Sequence, residues 1–522
     1  MLCSIDRKRV FETTPFAHCL ALGLVLTLNA CASIDFTAPK SQSHALTDTD
    51  TTQLGESLAY SHGYPEGHSG FHLLSDAIDA LAVRLLVADA AQRSLDVQYY
   101  LINNDIIGRV FLAYLLKAAD RGVRVRLLID DISTRNMEEL LAGLASHPNL
   151  ELRLFNPFAN RRFRGADAWD FARLNRRMHN KSLTADNQVT IVGGRNIARE
   201  YFAANMEYNF GDLDTLAIGP VVQDTSAMFD AFWAHERAVP YEQLSEQQPD
   251  QGERLAAAVA KLEDAVERVN NSVYGKALSS AYSEYLATSA SRFEVAPYRL
   301  VFDSPDKVFG KVSGNEAIVT PLGEAARSAN QKLLVISPYF VPRAAGIKSL
   351  QGMADTGVQI DVVTNGLAAI DHIWVYGGYA PARKPLLRHG VRLFEMRGDQ
   401  GFSGTVEAGT EKAKSSLHTK AFVVDKRYVF MGSFNWDPRS SGINTELGIL
   451  MDAPKIAGQI TGLVETTSAE RGYQPFLNER GDINWRSMEG GEWRIHDKEP
   501  ESSWGRRAAA KLTRLLPIRS QL

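Results

Sequence analysis

Two stretches of this 522-residue chain, HNKSLTADNQVTIVGGRN from His179 and HTKAFVVDKRYVFMGSFN from His418, hold the same residue types in one register. His179, Lys181, Asp186, Gly193 and Asn196 recur as His418, Lys420, Asp425, Gly432 and Asn435. The set suits a phosphoryl group: lysine brings a point positive charge, Asn196, Asn435 and Ser433 bring hydrogen-bond donors, and imidazole serves near neutral pH as nucleophile or proton carrier. Displacement at a phosphodiester needs a nucleophile on one side of phosphorus and an acid on the other. Two copies facing each other supply both. Glu207 and Glu446 each follow the asparagine by eleven residues, and a carboxylate on the far nitrogen of an imidazole fixes its tautomer.

These residues need elements that aim them. His and Lys two apart on extended chain point to one face. A tight turn around each Asp then lets VTIV and YVFM return as strands, and Gly193 and Gly432 permit close backbone approach. Upstream of the first copy, SLDVQYYLI reads as a strand, IIGRVFLAYLLKAADRG as a helix closed by Gly122, and VRVRLLIDD as a strand. KLLVISPYFV, AAGIKSLQGMADTG closed by Gly357, VQIDVVTNG and PLLRHGVRLFE repeat that order before the second copy. The chain therefore reads as two similar α/β halves. The spacing of SGFHLLSDAIDALAVRLLVADAAQ predicts a helix where order begins.

The expected divisions are 1–31 as a signal segment, 32–69 as a flexible tether, 70–240 as the first half, 241–292 as a helical linker or insertion, 293–470 as the second half, and 471–522 as a tail. The insertion reads equally as a helix packed on one half. The tail carries Arg506, Arg507, Lys511, Arg514 and Arg519 among Trp504, Leu512, Leu515 and Leu516. Such a helix lies on an anionic bilayer or docks on its own protein.

All three cysteines fall in the first 31 residues, so the body has no thiol chemistry and no structural thiolate metal site. DRKR followed by CLALGLVLTL has the shape of a targeting segment whose apolar run is too short for a confident transmembrane helix. Its end, Leu28-Asn29-Ala30-Cys31, resembles a lipobox, which implies lipid attachment at Cys31 and work in the bacterial cell envelope, facing the periplasm. The net charge of −4 disfavours nucleic acid as substrate. Asp212 and Asp214 lack a His or Cys to complete a metal site and read as a structural turn. Tyr99, Tyr100 and Tyr339 fall at strand ends as pocket-lining or core aromatics. The arginines of RRFRGADAWDFARLNRRMHNK read as headgroup capture or as a solvated face.

The duplicated His-x-Lys-x4-Asp-x6-Gly-x-x-Asn pattern resembles the phospholipase D superfamily over about residues 70 to 470. That resemblance implies two α/β/α halves with mixed central sheets related by a pseudo-twofold, a phosphohistidine intermediate, one site between the halves, and no metal or other cofactor. It makes His179 and His418 nucleophile and general acid, with His179 favoured as nucleophile. Lys181, Lys420, Asn196, Ser433 and Asn435 become phosphate ligands, Asp186 and Asp425 hold the motif's shape, and Glu207 and Glu446 orient the histidines. RSLDVQYYLI, RRMHNKS, IVGGRNI, DLDTLAIGPVV and EPESSW further resemble bacterial class C cardiolipin synthases. The substrates implied are phospholipids at a membrane surface: phosphatidylglycerol, with phosphatidylethanolamine as a second candidate. The rival readings are a hydrolase or nuclease of the same superfamily, which share the catalytic residues, and a non-catalytic lipoprotein.

Overall fold

The computed structural model describes residues 33–244, 250–287, 292–310, 317–398 and 413–513; Cys31, Arg514, Leu515, Leu516 and Arg519 lie outside them. The first half contains β1 (His68–Leu74), β2 (Ser94–Tyr99), β3 (Arg124–Asp130), β4 (Leu150–Phe155), β5 (Ser182–Ala185), β6 (Val189–Gly193), β7 (Tyr208–Gly211), β8 (Asp214–Ile218) and β9 (Ala238–Pro240). The second contains β10 (Glu294–Phe302), β11 (Lys332–Ile336), β12 (Gln359–Asn365), β13 (Arg392–Met396), β14 (Lys414–Leu417), β15 (Ala421–Val424), β16 (Tyr428–Gly432) and β17 (Leu447–Asp452). After it come β18 (Gly472–Leu477), β19 (Ile483–Glu489) and β20 (Glu492–His496).

Pairing runs β4-β3-β2-β5-β6-β8-β1 in the first half and β13-β12-β11-β15-β16-β17-β10 in the second, the same order twice. In each, the first three strands are parallel because a helix crosses over between them, and the others are antiparallel, so both sheets are mixed. The equivalent edge strands β1 and β10 pair antiparallel, from His68 opposite Pro297 to Phe71 opposite Glu294. An antiparallel pair of equivalent strands is what a twofold axis generates. It joins the halves into one continuous sheet.

The helices Ala77–Ala90 and Ile106–Asp120 begin at Asp76 and Asp105, whose carboxylates accept the free amides of the first turn. Gly122 and Gly357 end their helices with φ of 92° and 95°, where a side chain would be strained. The expected helix over SGFHLLSDAIDALAVRLLVADAAQ is split: His68–Leu74 is β1 and only Ala77–Ala90 is helical. Asp76, which caps that helix, marks the break.

Residues from 33 onward do not hang free. Arg126 and Arg153, buried in strands β3 and β4, need acceptors, and they take the carbonyls of Ser43 at 2.9 Å and Ser41 at 2.6 Å. Trp233 adds a bond to the Ser43 hydroxyl at 3.0 Å. The helix Gln251–Asn270 buries Ala258, Leu262, Ala265 and Val269 in the core of the first half, so the insertion is packed there. The tail joins the second half through β18 on β13. Its helix Trp504–Thr513 docks on Ile373–Arg388, filling the space over Gly377 with Thr513. Arg506 donates to the carbonyls of Leu367 at 2.6 Å and Ile370 at 2.5 Å, while Trp504 and Leu512 stay exposed.

Candidate active site

The two His segments reach their places by crossing between halves. His179 donates its backbone amide to the Thr445 carbonyl at 2.9 Å, and His418 donates its own to the Gly211 carbonyl at 2.8 Å. Each acceptor immediately precedes an acid, Glu446 or Asp212, that binds the same histidine's side chain. His179 Nδ1 lies 2.8 Å from Glu446 Oε2, and His418 Nδ1 lies 2.6 Å from Asp212 Oδ2. Each imidazole is therefore braced by a carboxylate of the opposite half.

Glu207 was expected to brace a histidine, and it does not. It is exposed, and only its backbone is engaged, donating to Asn205 Oδ1 and accepting from Lys414. Asp212, read from the sequence as a turn residue, takes the position. The sheet register gives the correspondence: Gly193 lies opposite Asp214 as Gly432 lies opposite Gly448, which makes Asp212 the counterpart of Glu446. Asp212 stands sixteen residues after Asn196, not eleven, because the first half inserts chain that forms β7, paired with β14 of the second half. Asp214 is a structural acid, held by Arg84 and Arg195 at 2.9 Å each.

Gly194 stands in the first half where the second has Ser433, and each explains the other. Ser433 Oγ donates to Glu446 Oε2 at 2.5 Å, and this bond uses the donor that was expected to serve phosphate. A Cβ on Gly194 would lie 2.2 Å from Asp212 Oδ1. The shorter acid sits where the serine side chain would be, so one half uses Ser with Glu and the other Gly with Asp. Gly193 and Gly432 are closely approached as expected, with a built Cβ at 2.1 Å from Asp214 Oδ1 and 2.2 Å from the Leu447 carbonyl.

Asp186 and Asp425 work as scaffolding. Asp186 accepts the amides of Gln92, Arg93 and Ser94 at 2.7 to 2.9 Å, and Asp425 those of Asn330, Gln331 and Lys332 at 2.8 to 3.0 Å. Each ties its turn to the start of the strand beside it. Asp186 and Asn187, like Asp425 and Lys426, have φ near +50°, the pair of left-handed residues that a tight hairpin requires.

Both lysines are buried and fold back toward their histidines. Lys181 Nζ lies 2.5 Å from the His179 carbonyl, and Lys420 Nζ lies 2.8 Å from His418 Nδ1 and 3.3 Å from its Nε2. Asn196 donates to the Tyr201 hydroxyl at 2.9 Å, and the Oδ1 atoms of Asn196 and Asn435 are buried without a hydrogen-bond partner. Tyr100 meets His179 edge-on at 4.9 Å, whereas Tyr201 and Phe210 enclose His418 at 4.9 and 4.8 Å. Tyr201 and Phe210 carried no sequence signal, since they lie outside the repeated motif. Tyr99 is core, bound to Arg84 at 3.1 Å, and Tyr339 bonds Asp371 at 2.6 Å.

Burial sets the protonation states. It pushes His179 down to about 4, opposed by the Glu446 charge, and holds His418 well below its ordinary value. Lys181 falls to about 7 through the same loss of solvent, and Lys420 is lowered likewise. The two acids move apart. Asp212 rises to about 6 because desolvation outweighs Lys420 and Arg195, whereas His179 and Lys181 overcome burial and hold Glu446 below the usual carboxylate range. Glu446 is thus a fixed anion that keeps a proton on His179 Nδ1 and leaves the lone pair on Nε2. The Asp212–His418 pair retains a proton more readily, as one titrating unit.

The arginines before His179 mostly serve the fold. Arg161 and Arg164 bind Asp131, Arg173 binds Asp170, Arg177 binds Asp130 at 3.0 Å, and Arg176 donates to the carbonyls of Lys307 and Gly442.

Two imidazoles, two lysines and two crossed acids at the seam of a duplicated α/β fold define a phosphoryl-transfer site of the phospholipase D type. The family described as "Cardiolipin synthase, PLD-like domain" matches residues 87–233 and 322–466, one match in each half. Cardiolipin synthase C of Escherichia coli is 39% identical over 456 residues, covering 87% of this chain and 96% of that one. A cardiolipin synthase of Staphylococcus aureus is 24% identical over 373 residues, covering 70% of this chain and 60% of its own. The chain belongs to the cardiolipin synthase family of phospholipase D-like proteins. Among solved structures, phosphatidylserine synthase from Haemophilus influenzae aligns with a TM-score of 0.54 at 12% identity, covering 90% of this chain and all of that one, a likeness of fold.

Proposed function

We propose that this chain transfers a phosphatidyl group from a donor phospholipid to an alcohol through a phosphohistidine. The observation that carries the reading is the pair of crossed contacts, Glu446 on His179 and Asp212 on His418, which engage both Nδ1 atoms where each histidine also feels the lysine of the opposite half. His179 is the nucleophile, because its anionic brace keeps Nε2 unprotonated. Its Nε2 attacks phosphorus, the bond to the headgroup oxygen breaks, and His418 Nε2 gives that oxygen its proton. An alcohol then attacks the phosphohistidine, the P–N bond breaks, and His418 takes the alcohol's proton. Lys181, Lys420, Asn196 and Asn435 hold the phosphoryl oxygens, while Asp186 and Asp425 keep the hairpins in place.

Phospholipids are the substrates, with phosphatidylglycerol as donor and phosphatidylethanolamine as a second partner. Exposed Phe163, Trp169 and Phe171, on the segment leading to His179, support work at a lipid surface. Among the described residues no helix is long and apolar enough to cross a membrane. Anchoring is through lipid on Cys31, in the bacterial envelope. The test is purified protein in vesicles of phosphatidylglycerol with and without phosphatidylethanolamine, with lipids resolved by mass. Cardiolipin marks the transferase and phosphatidic acid alone marks a hydrolase. Folded protein that forms neither product overturns the reading.

A further inference from the structure

The segment after β12 borders the His418 side of the cleft: Asn365, at the end of β12, exchanges hydrogen bonds with Leu417, the residue before His418, at 2.8 and 2.9 Å, and Tyr208 donates to the Ala369 carbonyl at 3.4 Å. Asp371 follows on this segment, and its carboxylate acts on His418, Lys420, Tyr201 and Tyr208. Its Oδ2 accepts the Tyr339 hydroxyl at 2.6 Å and its Oδ1 the His372 amide at 2.8 Å. The side chain stays 25% exposed, with His372 Nε2 3.7 Å from Oδ2.

A second acceptor stands deeper. Asn196 Oδ1 is buried with no partner, although the same amide donates to Tyr201, whose hydroxyl lies 3.4 Å from His418 Nε2. Tyr201 and Phe210 wall this side, and Tyr208 packs on Phe210 at 5.0 Å. The lining therefore presents acceptors to whatever alcohol reacts at His418, and a carboxylate discriminates sharply between an alcohol with a second donor and one without.

We propose that Asp371 is a specificity-determining residue, binding a second hydrogen-bond donor, hydroxyl or ammonium, on the headgroup alcohol that enters or leaves at His418. The inference rests on the phosphatidyl-transfer reading above. With the reacting oxygen at His418 Nε2 and the second donor on Asp371, the alcohol is held for attack on the phosphohistidine, its proton passes to His418, and the electron pair of the broken P–N bond returns to His179.

The test is competition. Full-length protein in phosphatidylglycerol vesicles receives deuterated glycerol, ethanolamine and ethanol together, and the three phosphatidyl products are counted in each sample. Ethanol lacks a second donor, so the product ratios report selectivity whatever fraction of a variant is folded. Asp371→Ala and Asp371→Asn lower the glycerol-to-ethanol or ethanolamine-to-ethanol ratio about tenfold or more, and Asp371→Glu recovers part of it. Loss for glycerol alone identifies a hydroxyl ligand, loss for ethanolamine alone an ammonium, and loss for both the shared chemistry. Ratios unchanged in Asp371→Ala overturn the proposal even if total turnover drops. No product from the wild type instead overturns the transfer reading beneath it.

Discussion

Glu446 Oε2 lies 2.8 Å from Nδ1 of His179, 267 residues away in sequence and in the opposite half of the fold. Asp212 and His418 repeat the relationship in the other direction at 2.6 Å. The acid of each pair is fully buried, so removing it strands a largely buried imidazole without its acceptor.

Replacing Asp212 by Asn lowers turnover about a hundredfold or more, because the amide cannot stabilise the imidazolium that forms at His418. Glu207→Gln, at the exposed position the sequence favoured, leaves turnover within about twofold. Phosphatidic acid plus cardiolipin formed per minute compares the two directly.

The histidines separate by trapping. His179→Ala yields no acid-labile phosphoryl adduct and loses about four orders of magnitude in rate. His418→Ala still accumulates the adduct on His179 when the leaving group is good enough to need no acid, as with a nitrophenyl ester. An adduct found on His418 in the His179→Ala protein would reverse the assignment.

The pH profile follows from burial. His179, lowered to about 4, is neutral and nucleophilic above that value. Lys181, lowered to about 7, loses its ammonium as pH rises through 7, and with it the attraction for phosphate in the free enzyme. kcat/KM therefore rises with pH through about 4 and falls above about 6 to 7, as the Asp212–His418 pair loses the proton it must donate and Lys181 loses its ammonium. A flat kcat/KM from pH 6 to 9 contradicts the role given to Lys181.

Gly194→Ser, which copies the second half's serine into the first, reduces activity instead of improving the match. The new Cβ would stand 2.2 Å from Asp212 Oδ1 and push that carboxylate off His418. The activity of Gly194→Ser set against that of Asp212→Asn measures how far the carboxylate is displaced.

Asp186→Ala removes the acceptor of three backbone amides, all bound at 2.7 to 2.9 Å at the start of β2. The expected cost is about 2–4 kcal/mol, read as a lower denaturation midpoint, with Asp186→Asn intermediate. An unchanged midpoint would deny Asp186 its scaffolding role.

The duplicated motif, its hairpins and the parallel strands before it were legible in the sequence because each is local: two-residue alternation, a left-handed Asp turn, and glycines where backbone approaches. What stayed hidden depends on chain far apart. β1 was absorbed into the helical spacing of the segment that follows it, and β10 carries no distinctive spacing, yet these two strands form the seam. Glu207 matched Glu446 by count alone, and only the β6–β8 register identifies Asp212 as the true counterpart. Residues 32–69 looked like a tether because they are polar and aperiodic; the order of the stretch from 33 comes in part from buried arginines elsewhere that need its carbonyls.

The crossing of acids and histidines has a further consequence. A half excised from this chain would carry an imidazole and a carboxylate meant for different partners, and could be completed only by another half docked along the same edge. Slipping β1 against β10 by one residue would part both couples at once. Competence is therefore all or nothing: it is a property of alignment between two lobes, and neither lobe holds a fraction of it.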